Sequence, residues 1–251
     1  MSSILGYYGL WDRIRRNVRR LEENQEAGRA LNLDEEKKLL EQASMAGGKQ
    51  GVWTPLYTVT LLALNTGMRH EEIRTLRWKH IDLLKRVLRV GESKTEAGKG
   101  RAVPLTQPAW ATLTMWASRF PSRDPEHFVF PACENGRIDA KSPVTNWRTA
   151  WRRTTNVIQC PTCGQWQNPG VVCNNPTSKA DVRKVRSSLA GLRFHDLRHT
   201  AATKLLEQGT PIAVVAHILG WSASTAVRMA KRYGHIRPKV QRQALDAVAT
   251  V

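Results

Sequence analysis

The stretch Phe194–Thr200 (FHDLRHT) is followed downstream by Leu219–Trp221 (LGW) and then by Tyr233. His195 and Arg198 lie three positions apart, so their side chains share one face if a helix begins here. Cleavage of a phosphodiester without a metal requires a guanidinium that grips the phosphate, an imidazole that moves a proton and a phenol that attacks. This part of the chain contains all three kinds of side chain.

The composition of the chain favours a polyanionic partner. Its 251 residues include 39 Lys and Arg against 21 Asp and Glu, a formal net charge of +18 at pH 7. An excess of this size favours nucleic acid first and an acidic membrane surface second, with a cationic coat for solubility as the alternative. Apolar residues make up 41% of the sequence, which favours a globular protein. Because no apolar stretch is long enough to span a membrane, we expect an intracellular, cytoplasmic protein that associates with DNA and not with a membrane.

Changes of pattern divide the chain into a short arm and a main domain. Residues 1–30 are interpreted as a basic helical arm or the remnant of a linker, either solvated or in contact with DNA. Residues 31–251 form the predicted main domain, with an irregular Cys-rich insertion at about 160–178. A hairpin at 86–105 alternates in polarity around a basic turn. Predicted helices span 34–43, 53–65, 107–117, 142–157, 195–207, 211–219 and 225–233.

Local signals mark the ends of two helices. Asp34 is the expected N-cap of the first helix, and the turn at Gly67 is expected to stop the second. A further short helix follows, with Ile73 and Leu76 buried. The predicted fold is mainly α-helical with a small β-sheet or hairpin near the candidate site, an α+β class.

Two more blocks accompany the opening stretch. The first is Thr66–Trp78 (TGMRHEEIRTLRW), and the second pairs Ser93–Thr95 (SKT) with Arg101–Leu105 (RAVPL) across the predicted hairpin. In this order the three blocks resemble the tyrosine recombinases, also called phage integrases. The first block is similar to that family's first-arginine block, and the hairpin is similar to the one that carries its catalytic lysine. The resemblance extends over most of the predicted main domain and implies the catalytic-domain fold of that family.

Arg69 and Arg198 are the candidate phosphate clamp. Planar guanidinium groups match the oxygens of a phosphate with paired donors. Arg69 follows a glycine turn that ends a helix, and Arg198 shares a helical face with His195; these settings distinguish both from the many other arginines. Glu72, three positions after Arg69, is expected to orient an arginine.

His195 is the candidate proton acceptor or hydrogen-bond donor to the phosphate. The alternative is a metal site, since His199 lies four positions on, which is also a zinc-binding spacing. Arg198 between the two would repel a cation, so we predict no metal here and a supporting role for His199. Trp221 offers one indole N–H to the phosphate and a packing face to the site.

Tyr233 is the candidate nucleophile, and the resemblance implies a covalent 3′-phosphotyrosine intermediate. Cations beside it would favour the phenolate: Lys231, Arg232 and His235. The alternative is a half-buried core tyrosine on an apolar helical stripe. Lys94 on the hairpin is the candidate acid that protonates the departing 5′ oxygen, and the alternative is a turn lysine that touches phosphate.

The cysteines suggest a second type of site. Cys160 and Cys163 (CPTCG) are spaced like one half of a zinc ribbon, and Cys173 is placed to begin the other half. Position 176, where a fourth ligand is expected, is Pro176, and Cys133 lies far upstream. Both a zinc ion at the three cysteines and a loop that retains part of an incomplete site remain open.

Taken with the resemblance, these residues imply a site-specific DNA recombinase or integrase that cleaves and rejoins strands through a tyrosine. Its implied partners are double-stranded DNA and further copies of itself in a synaptic complex, and the chemistry needs no cofactor. The alternatives are a DNA-binding relative without catalysis and a strand-relaxing enzyme of the type IB topoisomerase kind.

Overall fold

The computed structural model describes residues 28–45, 55–167, 173, 175 and 187–233, with the backbone alone for 166 and 231–233. Nearly all of the predicted arm at 1–30 therefore lies outside the described residues. So do the beginning of the predicted helix at 53–65 and much of the Cys-rich insertion.

Helices outweigh strands among these residues, and the predicted fold class is confirmed. The helices are α1 (Leu33–Met45), α2 (Leu56–Thr66), α3 (His70–Arg74), α4 (Gln107–Ala117), α5 (Arg148–Thr155), α6 (Phe194–Glu207), α7 (Ile212–Leu219) and α8 (Ala223–Tyr233). The described strands form three antiparallel sheets: β1 (Ile81–Asp82), β2 (Val87–Arg89) and β3 (Ala102–Pro104); β4 (Pro131–Glu134) and β5 (Arg137–Pro143); β6 (Ile158–Gln159) and β7 (Trp166–Gln167). Short 3-10 helices occupy Trp78–His80 and Glu96–Gly98.

The first helix is capped by Asn32 and not by the expected Asp34. The Glu35 N–H donates to Asn32 Oδ1 at 2.8 Å, and the Asn32 N–H donates to Glu35 Oε2 at 3.1 Å. This reciprocal pair satisfies two backbone donors at the start of α1. Asp34 lies inside the first turn, where its negative charge favours the positive end of the helix dipole.

The predicted end of the second helix is confirmed. Gly67 adopts a left-handed conformation with φ 61°, and its N–H donates to the Ala63 carbonyl at 2.9 Å. A side chain there would be strained and would also collide with Leu219 of α7. The turn therefore packs against the end of α7, and Arg69 follows it by two positions.

The predicted hairpin at 86–105 is confirmed and gains a strand. Leu88 pairs with Val103 between β2 and β3, and on its other side with Ile81 of β1. Because β1 has two residues, it carries too little alternation to be predicted as a strand.

The predicted helix at 142–157 is wrong at its beginning. Pro143 ends β5, and α5 begins at Arg148. β5 pairs with β4 across a two-residue turn in which Asn135 and Gly136 both have positive φ, 50° and 79°. An Asn-Gly pair is a strong hairpin signal, and the extended pairing of β5 takes its last residues out of the expected helix.

The core forms where α2 packs against α1, α4 and α6. Its fully buried side chains include Leu39, Leu62, Ile73, Leu113, Phe130 and Leu197. The Leu31 N–H donates to Thr200 Oγ1 at 3.0 Å, which fixes the start of α1 on α6. None of the helices in the described part of the chain is long and apolar enough to cross a membrane.

Candidate active site

Arg198 lies near the beginning of α6 with 5% of its surface exposed. Its guanidinium donates to the carbonyl of Gly67 at 2.8 Å and to that of Leu219 at 2.5 Å. These bonds join the turn after α2 to the end of α7 through a single side chain. They use two of the five N–H donors that a guanidinium carries.

Glu72 accepts two hydrogen bonds from Arg69, the residue that precedes α3. The Arg69 N–H donates to Glu72 Oε2 at 2.9 Å, and Arg69 Nη1 donates to Glu72 Oε1 at 2.8 Å. Glu72 thus contacts Arg69, a contact of the kind expected for an orienting carboxylate. The Arg69 side chain keeps 20% of its surface exposed, so it remains accessible to a ligand.

A second arginine, Arg101, is buried against the same carboxylate. Its Nη2 and Nη1 donate to the two Glu72 oxygens at 2.7 and 3.1 Å, and the Ser93 hydroxyl donates to Oε1 at 2.7 Å. Burial alone would raise the pKa of Glu72. The hydrogen bonds and charge of Arg101, with the Ser93 hydroxyl and the Arg69 N–H, instead lower it to about 2. Glu72 is therefore an anion that serves two arginines.

The sequence places Arg101 at the start of the second hairpin strand but does not predict its partner Glu72. The alternation of this strand does predict that Arg101 is buried. Arg101, Val103 and Leu105 alternate with partly exposed neighbours, and all three are buried. Residues at every second position of a strand point to the same face, so an arginine in that register needs a buried anion.

The turn between β2 and β3 rests on the end of α7. Arg101 Nε donates to the Ile218 carbonyl at 2.9 Å, and its Nη1 donates to Gly98 O at 2.7 Å. The Thr95 hydroxyl contacts the Gly220 carbonyl at 3.4 Å. Carbonyls at the end of a helix carry partial negative charge and favour cations. Lys94 lies on this turn with its side chain exposed.

The site is positively charged with few nearby anions. Burial, and then the charge of Arg69, lowers the pKa of Arg198 to about 9, which still leaves it cationic at pH 7. His195 keeps an exposed surface, but desolvation by its neighbours, and then the charges of His199, Arg198 and Arg69, lower its pKa to about 4. Arg69, Arg198 and His195 are thus close enough to influence one another, and His195 is neutral at pH 7.

The remaining candidate residues lie on α6, just after α7 and at the end of α8. The His199 ring stands edge-on to that of His195, with the ring centroids 5.1 Å apart. Trp221 is half-buried on the apolar cluster around Leu219 at the end of α7. Tyr233 is the last residue of α8, which packs against α7, and its side chain lies outside the described atoms.

A sequence model of the phage integrase family matches residues 29–161 and 169–239, which together are more than half of the chain. The chain belongs to the phage integrase family. An integrase of Salmonella phage P22 is 26% identical over 189 residues, which cover 73% of this chain and 40% of that protein. A shufflon-specific DNA recombinase of Escherichia coli is 30% identical over 192 residues, which cover 76% and 38%. The chain thus spans about two fifths of the length of these integrase-family relatives.

Solved structures share the fold of this integrase-family chain. The Tn1549 transposon integrase in complex with circular intermediate DNA superposes with a TM-score of 0.60 at 19% identity, covering 97% of this chain and 76% of that one. XerA recombinase superposes with a TM-score of 0.52 at 20% identity, covering 98% and 75%. This likeness shows that the described helices and small sheets adopt the fold of these two proteins.

We expect DNA to raise the pKa of His195. In the free protein this pKa is about 4, and a bound phosphate would add the negative charge that favours the imidazolium. NMR titration of the ring, assigned with His195→Gln, should therefore give a higher pKa with DNA than without it, by about one unit or more. The same titration curve in both states would contradict phosphate binding beside this ring.

We also expect Gly220→Ala to displace the turn between β2 and β3, which carries Lys94. Gly220 has φ 62°, and a Cβ there would lie 2.6 Å from the Gly98 Cα. Gly209 is the matched control, because its φ of 83° is also left-handed but nothing lies within 4 Å of its added Cβ. Gly209→Ala should cost about 1–2 kcal/mol of unfolding free energy, measured by denaturant titration. Gly220→Ala should cost more unfolding free energy, because its Cβ also collides with Gly98; equal effects of the two changes would contradict the close packing.

Proposed function

We propose that this chain is the catalytic domain of a site-specific DNA recombinase or integrase that cleaves and rejoins strands through a covalent 3′-phosphotyrosine intermediate. The observation that carries the proposal is the grouping of Arg69, Arg198 and His195. Burial and the nearby charge of Arg69 both lower the pKa of Arg198, so its cation is held in an unfavourable setting in the free protein. A dianionic transition state at phosphorus would relieve that repulsion and accept paired donors from both guanidinium groups.

In the proposed reaction the Tyr233 hydroxyl attacks phosphorus, and the bond from phosphorus to the 5′ oxygen breaks. Neutral His195 accepts the phenol proton; if it instead donates its N–H to a phosphate oxygen, the phenol proton passes to water. Lys94 protonates the departing 5′ oxygen. Rejoining reverses these steps, with a 5′ hydroxyl attacking the phosphotyrosine. Every group required is a side chain of this protein, so the proposed chemistry needs no cofactor.

The proposed partners are double-stranded DNA and further copies of the chain. The +18 net charge favours DNA, because each cation that neutralises a phosphate releases a counterion. The Tn1549 integrase and XerH recombinase were solved with DNA bound, and both share the fold of this chain. Exchange of strands between two sites requires several active centres, so we infer a synaptic complex of several protomers.

A nicked suicide substrate tests this proposal, with DNA taken from the flanks of the gene. The nick lets a short 5′ fragment diffuse away, so an enzyme of this kind should accumulate a denaturant-resistant protein–DNA adduct on the 3′ phosphate. Sequence-specific binding with no adduct would favour a DNA-binding relative without catalysis. Relaxation of supercoiled DNA by isolated monomers would favour the topoisomerase alternative.

A further inference from the structure

The cysteines of the insertion form a compact group of their own with Ile158. The Sγ atoms of Cys160, Cys163 and Cys173 all lie within 4.8 Å of one another, and those of Cys163 and Cys173 are 3.5 Å apart. Cys160 and Cys173 are buried with Ile158, and Cys163 packs partly buried against them. Sulfur atoms separated by 13 positions in the sequence therefore meet at one point.

The backbone of the first two cysteines is shaped like a metal-binding loop. The Gly164 N–H donates to the Cys160 carbonyl, and the Cys160 N–H donates to Gln165 O, both at 2.9 Å. Gly164 has φ 69°, a conformation that favours glycine and turns the chain back into β7. β6 and β7 then pair on either side, with Ile158 opposite Gln167. This loop holds the Cys160 and Cys163 sulfurs on one side of a closed turn.

We propose that Cys160, Cys163 and Cys173 bind one zinc ion. Tetrahedral zinc with Zn–S bonds of about 2.3 Å separates its sulfur ligands by about 3.8 Å. The observed separations, 3.5 Å for one pair and at most 4.8 Å for the others, require small adjustments to reach that geometry. Thiolates are soft ligands that select zinc over magnesium or calcium, and a buried pocket favours neutralising them with a cation.

The site takes three ligands from these cysteines and its fourth from an exchangeable group. Among the described residues, no further histidine, cysteine or carboxylate belongs to this group. Positions 168–172 and 174–186 contain neither cysteine nor histidine in the sequence, and their one carboxylate is that of Asp181. An ion with three thiolates and an exchangeable fourth ligand, such as water, satisfies the coordination that zinc prefers. Binding in this form releases protons from the thiols.

The place of the site in the fold indicates a structural role. The insertion connects α5 with α6, and α6 carries His195 and Arg198. The far end of this connection is already fixed, because the Trp151 indole N–H donates to the Leu192 carbonyl at 2.8 Å. An ion at the cysteines would fix the near end of this connection as well.

Metal content tests the proposal. The 251-residue chain is expressed with zinc and dialysed against metal-free buffer. Elemental mass spectrometry should then find about one zinc ion per chain. Cys163→Ser should lose most of that zinc, whereas Cys133→Ser is the matched control and should keep it, since Cys133 is an exposed cysteine of β4. Wild-type protein without zinc, or Cys163→Ser and wild type with equal zinc, would overturn the proposal.

A second measurement uses the wild-type protein, so it does not depend on how a variant folds. Alkylation of the cysteines is mapped by peptide mass spectrometry before and after treatment with a chelator. Zinc binding predicts that the three clustered cysteines react several-fold faster after chelation, while Cys133 reacts equally in both states. The same alkylation pattern with and without chelator, or a Cys163–Cys173 disulfide in the protein as isolated under reducing conditions, would overturn the proposal.

Discussion

Tyr233→Phe should abolish the covalent protein–DNA adduct on a suicide substrate while leaving DNA binding nearly intact. The phenol oxygen is the proposed nucleophile, and phenylalanine keeps the ring but has no atom that attacks phosphorus. Removal of a catalytic nucleophile reduces turnover by a factor on the order of 10⁶ in a well-characterised hydrolase. Adduct formation should therefore fall below detection, as measured by denaturing gel electrophoresis of labelled DNA.

Tyr57→Phe is the matched control for this change. Tyr57 lies on α2 with 37% of its surface exposed, and it loses the same hydroxyl. This variant should form the adduct at the wild-type rate. An adduct that survives in Tyr233→Phe, mapped to another tyrosine, would assign the nucleophile elsewhere and remove Tyr233 from the mechanism.

Glu72→Gln should destabilise the protein by about 3–5 kcal/mol, because it leaves Arg101 buried without a counter-charge. The Arg101 and Glu72 side chains are 2% and 1% exposed, and their closest charged atoms are 2.7 Å apart. The amide also cannot accept from both arginines and Ser93 as the carboxylate does. Denaturant titration at pH 7 measures the free energy of unfolding.

Glu71→Gln provides the control at the adjacent position. Glu71 also pairs with an arginine, Arg74, but its side chain is 63% exposed. An exposed ion pair contributes about 0–1 kcal/mol, so Glu71→Gln should change the free energy of unfolding by no more than that. Similar losses for Glu71→Gln and Glu72→Gln would contradict the view that one buried carboxylate organises the site.

The same carboxylate gives a pH dependence of defined sign. The folded pKa of Glu72 is about 2, below its ordinary value of 4.5, so the unfolded chain binds more protons between these two values. The stability that Glu72 contributes is fully present above about pH 4.5 and falls as the pH drops towards 2. Glu72→Gln should reduce this acid sensitivity.

The parts of the fold with strong local signals were predictable from the sequence. Gly67 ends α2 as expected because a left-handed glycine is a local requirement, and the β2–β3 hairpin follows from alternation within its own strands. The start of α5 was not predicted. Residues 142 and 143 fit a helical pattern in the sequence, but they belong to β5, and the pairing of β5 with β4 outweighs that pattern. The cap at Asn32 was missed because two neighbouring polar residues offered equivalent signals.

In the candidate site too, local patterns were predictable from the sequence and long-range contacts were not. Arg69 follows a glycine turn, and Arg198 shares a helical face with His195. Both are local patterns, so the sequence predicts both residues. The burial of Arg101 follows from strand alternation, but its partners do not: Glu72 lies 29 positions away, and the Ile218 carbonyl lies 117 positions away. Contacts between residues so far apart in the sequence arise when the hairpin packs on α7. Local sequence patterns therefore do not predict them.

The most direct test of the account is a structure of the Tyr233→Phe variant bound to DNA that contains its cleavage site. We predict that Arg69, Arg198 and His195 donate hydrogen bonds to the non-bridging oxygens of a single phosphate, with the aromatic ring at position 233 directed at its phosphorus. Contacts from the two arginines to different phosphates, or a ring at position 233 on the opposite face of the domain, would contradict the account.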